Sequence, residues 1–284
     1  MKNTLLLLAA ASAMSTSAIC GAQATPAAPE PAPAVTGNAT LASDYRFRGI
    51  SQTFGGLAFQ GGGDYSHASG FYLGNWNSNV SGLSYPNGAG LEMDFYGGVK
   101  KSFGDLTLDV GTLYYYYHDA RALSTDATTG ALTGANRKLD NHELYVGASW
   151  KWLSLKVSHS LTNYFGLGGE LATGGYFAHR DTGARLPNRG DSKGTMYADL
   201  SANYEVMPKL TLNLHVGYTD VKNYDELDYM DYKVGATYDL KGWQIGAAVI
   251  GTDADKTWYY VRDGAGKLKQ TGKPTGVFSI GKTF

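Results

Sequence analysis

From Gly37 to the last residue the chain alternates apolar and polar side chains with a period of two, in segments bounded by turn residues. Twelve such segments are predicted: Ala39 to Arg48, Leu57 to His67, Phe71 to Val80, Leu91 to Lys101, Leu106 to Tyr117, His142 to Trp152, Leu153 to Tyr164, Thr195 to Glu205, Leu210 to Thr219, Tyr229 to Leu240, Trp243 to Asp253 and Gly276 to Phe284. The fourth shows the pattern most clearly, with Leu91, Met93, Phe95 and Val99 opposed to Glu92, Asp94 and Tyr96. Such a strand needs an apolar solvent on one face and water on the other.

The links between segments sort by length. Those at His67–Gly70, Ser102–Asp105, Trp152–Leu153, Val206–Lys209 and Lys241–Gly242 are short, while the alternate ones are mostly long, above all 118–141 and 165–194. A soluble β-sandwich has no reason to sort its loops this way, whereas a transmembrane up-and-down barrel does. Segment length agrees, since a tilted strand needs about 9 to 11 residues to cross a bilayer. The fold class expected is therefore all-β, a transmembrane antiparallel up-and-down β-barrel of 12 strands.

Interfacial aromatic belts follow from that reading. Tyr65, Tyr72, Trp150, Tyr204, Tyr238, Trp243 and Phe284 are expected on the lipid face near the short turns, and Phe47, Phe59, Tyr114, Tyr116, Tyr218 and Tyr232 near the long loops. In the first strand Leu41, Tyr45 and Phe47 are expected to face lipid.

The N-terminus supplies an export route. Lys2, an apolar run from Leu5 to Met14 and small residues ending at Ala24 form the pattern of a cleaved secretory signal over residues 1–24. Residues 25–36, rich in Pro and Ala, are expected to be an extended tether, and 37–284 the barrel. Cys20 is the single cysteine and falls in the signal, so disulfide, metal-thiolate and cysteine-nucleophile chemistry are closed to the exported chain. Charge gives no reason to expect nucleic acid: 24 basic residues face 25 acidic ones, with one basic residue fewer once Lys2 is removed.

The stretch LASDYRFRGISQT followed by GGGDYSHASGFYLGNWNSNV resembles the opening of the TorF family of porin-type proteins, also catalogued as conserved hypothetical Gcw-type proteins. EMDFYGGVKKSFGDLTLDVGTLYYYYHD, ELYVGASWKWLSLKVSHS and VFSIGKTF are similar to its later segments, so the resemblance covers nearly all of the mature chain apart from the long loops. It implies an outer-membrane barrel of a Gram-negative bacterium and names no solute. Phe278, Ile280 and Phe284 also resemble the C-terminal signal by which barrel-assembly machinery recognises its clients, with Lys282 departing from that pattern.

The polar parity assigns the pore lining. Asp44, Asp64, Glu92, Asp94, Asp109, Glu143, Asp199, Asp231 and Asp239 are expected inside, against Arg46, Arg48, Lys156 and Lys233, with His215 among them. That acidic excess predicts a mild cation preference in a narrow passive channel for small hydrophilic solutes. Two other classes are open to such a chain. A barrel filled by side chains would serve as a surface binding protein or adhesin. A lipid hydrolase would need an outward serine beside His142 or His159, yet Ser158 and Ser160 have inward parity. The scattered histidines suggest no zinc site, and the acidic run Asp225, Glu226, Asp228 and Asp231 lacks calcium-loop spacing. No metal, cofactor or catalytic residue is expected. Lipid, the assembly machinery and small solutes are the expected partners of a monomer.

Overall fold

The computed structural model describes residues 34–85, 88–125, 132–174, 177–262 and 267–284. Twelve strands form a single closed barrel: β1 Val35–Ala42, β2 Ala58–Ser66, β3 Phe71–Asn79, β4 Leu91–Phe103, β5 Leu106–Tyr117, β6 Asn141–Trp150, β7 Leu153–Ser160, β8 Met196–Met207, β9 Leu210–Asp220, β10 Tyr229–Leu240, β11 Trp243–Thr252 and β12 Thr275–Thr283. Each strand pairs antiparallel with its sequence neighbours. β1 and β12 close the ring, from Asn38 opposite Thr283 to Ala42 opposite Ser279, and reciprocal backbone bonds of 3.1 and 2.7 Å between Gly37 and Phe284 extend the seam. Closure leaves no unpaired strand edge, the one β arrangement that apolar surroundings tolerate.

The first strand differs from the sequence expectation at both ends. Val35 and Thr36, expected in the tether, pair with Tyr65 and Asp64, and the strand stops at Ala42 instead of running to Arg48. The signal segment and the tether through residue 33 lie outside the described residues. The link lengths come out as expected, with tight turns at one end of the barrel and the long loops at the other.

The outward face is apolar across the whole wall. Val99, Val110, Val146 and Val157 stand opposite one another across β4, β5, β6 and β7, making an unbroken row of β-branched side chains. Towards the turns Trp150, Tyr204, Tyr238, Trp243 and Phe284 are exposed, as are Phe59 and Tyr218 towards the long loops. Exposed apolar surface on this scale is stable only against lipid or detergent. Lys282 lies over the Trp243 and Phe284 rings, 5.4 and 5.6 Å from their centroids, so its stem covers apolar surface while its ammonium reaches outward. Val110, 60% exposed in the middle of this face, gives a direct test. Val110→Arg is expected to destabilise the barrel by about 2–4 kcal/mol, measured by reversible denaturant unfolding in phospholipid vesicles.

Strand β3 corrects one belt assignment, that of Tyr72. Phe71 and Leu73 point outward, whereas Tyr72 and Trp76 are buried inside. The segment is apolar at both parities, and the interior takes the residues with polar tips: the Tyr72 hydroxyl donates to Asp109 at 2.7 Å. Phe47 leaves the belt as well, for a different reason.

Candidate functional site

After Ala42 the chain turns into the barrel rather than out of it. Arg46–Phe47 pairs with Ile50–Ser51 around Arg48 and Gly49, whose φ values of 45° and 76° are those of a two-residue hairpin turn. Glycine is required at the tip. A Cβ on Gly49 would stand 2.3 Å from Thr252 Cγ2 and 2.8 Å from Asp231 Cβ, so the hairpin crosses the lumen and presses against β10 and the end of β11.

Asp44, Arg46 and Arg48 are thus inside the barrel, but on this hairpin and not on a wall strand. Tyr45 and Phe47, expected to face lipid, are buried beside them, because a hairpin enclosed by the barrel has no lipid face. Tyr45 packs edge-on against Trp76 with ring centroids 5.4 Å apart and donates its hydroxyl to Glu92 Oε1 at 2.7 Å. Phe47 meets Tyr115 and Phe165 at 5.3 and 5.4 Å.

Two arginines fasten the hairpin. Arg46 donates to Asp44 at 2.7 Å, to the Gly49 carbonyl at 3.0 Å, to the Lys273 carbonyl at 2.8 Å and to Thr275 Oγ1 at 2.9 Å, which ties the hairpin base to the loop before β12. Asp44 also accepts from Ser51, Thr53 and the Gly55 amide. Arg48 spans to the far wall and donates to both carboxylate oxygens of Glu143 on β6, at 2.9 and 2.8 Å. Its guanidinium carbon lies 4.0 Å from the Tyr197 ring centroid and 4.8 Å from that of Phe47. Both members of this ion pair are about 2% exposed; the two bonds to Glu143 come from Arg48 Nη2, Nη1 donates to the Tyr164 hydroxyl at 3.2 Å, and Nε is buried without a partner among the described residues.

At the hairpin's level the interior is sealed. Every strand contributes a buried inward residue there, among them Ala42, Ala58, Trp76, Glu92, Tyr117, Glu143, Ser160, Tyr197, Thr219, Asp231, Ile250 and Val277. Much of the filling is aromatic, and glycine makes room for it. Gly74 faces Tyr96 and Gly111 faces Tyr145 across neighbouring strands, and a Cβ at either glycine would lie 2.5 Å from the opposing tyrosine side chain. The same pairing of a gap on one strand with a tyrosine side chain recurs at Gly217, where a Cβ would lie 2.2 Å from the Tyr197 hydroxyl.

Towards the short-turn end the inward side chains become partly exposed. Asp64, Lys156, Asp239, Lys233 and Ser201 line this vestibule, and Asn203 is exposed within it. His215 has Nδ1 3.2 Å from Asp199 Oδ1 and Nε2 2.7 Å from Asp231 Oδ1, and Tyr197 donates to Asp231 Oδ2 at 3.1 Å. The Tyr96 hydroxyl donates to Asp64 at 2.6 Å, and Asp239 accepts from Gln244 and the Gly242 amide, both at 2.9 Å. Asp94 is buried, and Oδ1 has no hydrogen bond among the described residues. Lys100 is an inward cation missing from the sequence assignment, 3.7 Å from Asp109. It shares the parity of Glu92 and Asp94, which is the signal that could have found it.

The long loops build a roof with a small core of its own. Leu167, Ala172, Leu186, Val221, Tyr224 and Leu227 are buried together, with Trp258 and Tyr259 against them. Arg189 donates to both oxygens of Glu226, at 2.5 and 2.7 Å, and this contact holds the Glu226 carboxyl below its usual range. Asp228 accepts from the Val221 amide. Glu226 and Asp228 are thus engaged by loop residues while Asp231 lies inside the barrel beside His215, and among the described residues no group of three or more His, Cys, Asp and Glu is placed to hold a metal ion.

On the outer wall His142 Nε2 lies 2.7 Å from the Thr112 hydroxyl, which donates its one proton to the Glu143 carbonyl at 2.9 Å. Ser158 and Ser160 are buried inside.

A closed twelve-strand barrel with an apolar wall and a polar, hairpin-filled lumen belongs to the architecture of membrane-spanning β-barrels. The chain itself belongs to the family described as Bacterial protein of unknown function (Gcw_chp), whose profile matches residues 23–284. Among solved structures it is similar to the KdgM porin, at 9% identity and a TM-score of 0.45, covering 88% of this chain and 98% of that one. It is also similar to Pseudomonas aeruginosa OprD, at 11% identity and a TM-score of 0.36, covering 89% and 66%. Acinetobacter baumannii OccAB4 matches at 14% identity and a TM-score of 0.37, covering 85% and 56%. The comparison with curated proteins returned no match.

Proposed function

We propose that the protein is an outer-membrane channel of a Gram-negative bacterium, carrying small hydrophilic solutes along a narrow path that the hairpin of residues 44–52 closes at the extracellular end. The observation that carries this reading is the contrast between the two halves of the lumen, sealed at the level of Arg48 and Glu143 and partly exposed at Lys156, Lys233 and Asp239. An N-terminal signal brings the chain to the periplasm, and the C-terminal strand, with Phe278, Ile280 and Phe284 outward, presents its insertion signal to the assembly machinery. The long loops then face outside and the short turns face the periplasm.

The inward acids outnumber Arg46, Arg48, Lys100, Lys156, Lys233 and His215, so an open path favours cations. In a salt gradient the reversal potential is expected to show potassium more permeant than chloride, with the preference reduced in a D64N/D239N variant. Equal or greater chloride permeability rules out the acidic lumen as selectivity filter.

The sealed ring supports a second reading, a barrel that does not conduct and displays its roofed loops as a binding surface. Solute flux into vesicles holding the refolded protein separates the two. No flux from the wild type and none from a variant lacking the hairpin favours the binding barrel.

A further inference from the structure

We infer that Lys233 forms a monocarboxylate-binding site in the periplasmic vestibule, with Ser279 and Asn213 as its neutral donors. A cavity of about 30 Å³ opens beside these residues, between β9, β10, β11 and β12. Its walls are small, with Gly246 and Ala248 on β11, so the space is framed by backbone and not filled by side chains.

The donors in it are unspent. Lys233 makes no hydrogen bond or ion pair among the described residues, in a lumen where Arg46, Arg48, Lys100 and His215 each face a carboxylate. The Ser279 hydroxyl is likewise without a partner among the described residues. Thr237 donates to Asn213 Oδ1 at 2.7 Å, and Asn213 Nδ2 donates to Asn203 at 2.8 Å, which orients the Asn213 amide and leaves one of its two N–H groups available. Among the described residues no carboxylate lines the cavity. A lysine ammonium, a hydroxyl and an amide N–H around a space of this size suit one carboxylate group or a halide.

The surroundings fix the charge of the ligand. Asp231 sits two residues before Lys233 on the same face and accepts from His215 and Tyr197. A second negative charge on the ligand would meet it and the remaining lumen acids, so dicarboxylates and phosphate are disfavoured. The ligand is a small monocarboxylate, and one that carries a positive charge elsewhere meets least opposition from the acidic lumen. This assignment deepens the channel reading but is tested without conduction.

Bromide is the probe. Crystals of the refolded full chain soaked in sodium bromide are expected to show an anomalous peak within hydrogen-bonding reach of Lys233 and Ser279. Acetate at equal concentration should displace it, succinate and inorganic phosphate should not, and Lys233→Met should abolish it. A vestibule with no peak at Lys233 overturns the proposal. So does a peak that survives Lys233→Met, or one displaced equally by all three anions, since either means an adventitious ion only. If the bromide site is present but vesicles show no flux, the binding site stands and the channel reading falls.

Discussion

Replacing Tyr45–Gln52 by a short Gly-Ser link is expected to raise solute flux into vesicles by about tenfold or more, since the barrel's closed population no longer has a closing element. The wall should survive the change. Ala42 pairs with Ala58 and with Ser279 outside the deleted stretch, and every other strand pair lies away from it. What the deletion removes is the Arg48 bridge to β6, the Tyr45 and Phe47 rings, and the tip that presses on Asp231 and Thr252. Far-ultraviolet circular dichroism and heat-modified gel mobility should match the wild type. Unchanged flux in a correctly folded variant means that closure lies elsewhere.

The second large effect is expected at the Arg48–Glu143 pair. Glu143→Ala leaves a guanidinium buried without its counter-ion, which costs about 3–5 kcal/mol. A wall strand cannot escape that cost, but the hairpin can, by leaving the lumen for water. The population with the hairpin withdrawn should therefore rise by about 10² to 4 × 10³-fold. The mature chain is expected to lack cysteine, so Phe47→Cys is a unique reporter, and its thiol-labelling rate should climb by that factor in the Glu143→Ala background. Replacing both partners by apolar residues, as in R48M/E143L, should return labelling close to the slow rate, because no charge is then stranded. Equal labelling in all backgrounds means the ion pair does not hold the hairpin.

Most of the wall was legible in the sequence because a strand between lipid and water has to alternate, and its links have to sort by length. Leu91 to Lys101 and Leu106 to Tyr117 were read almost to the residue. The hairpin was misread for the same reason. LASDYRFRGI keeps its alternation beyond Ala42, and period two says only that the backbone is extended. It does not say which surroundings each face meets. The one local signal was Arg48-Gly49 flanked by Phe47 and Ile50, a turn pair between apolar residues, and its force depends on Gly49 meeting β10, a contact far away in sequence. Tyr72 shows the same limit, since an aromatic with a polar tip fits an interfacial belt or a filled lumen equally well. Parity on the wall strands says which face a charge occupies, but it does not apply to Asp44, Arg46 and Arg48 on the hairpin, and it does not give partners. The pairing of Arg48 with Glu143 joins residues 95 apart, and that of Arg46 with the Lys273 carbonyl joins residues 227 apart.

Single-channel recording of the refolded wild type in a planar bilayer tests closure by the hairpin most directly. A barrel closed by a segment fastened through Arg46 and Arg48 should stay shut for most of the record, with brief, discrete openings. A steady open current from the moment of insertion would contradict it.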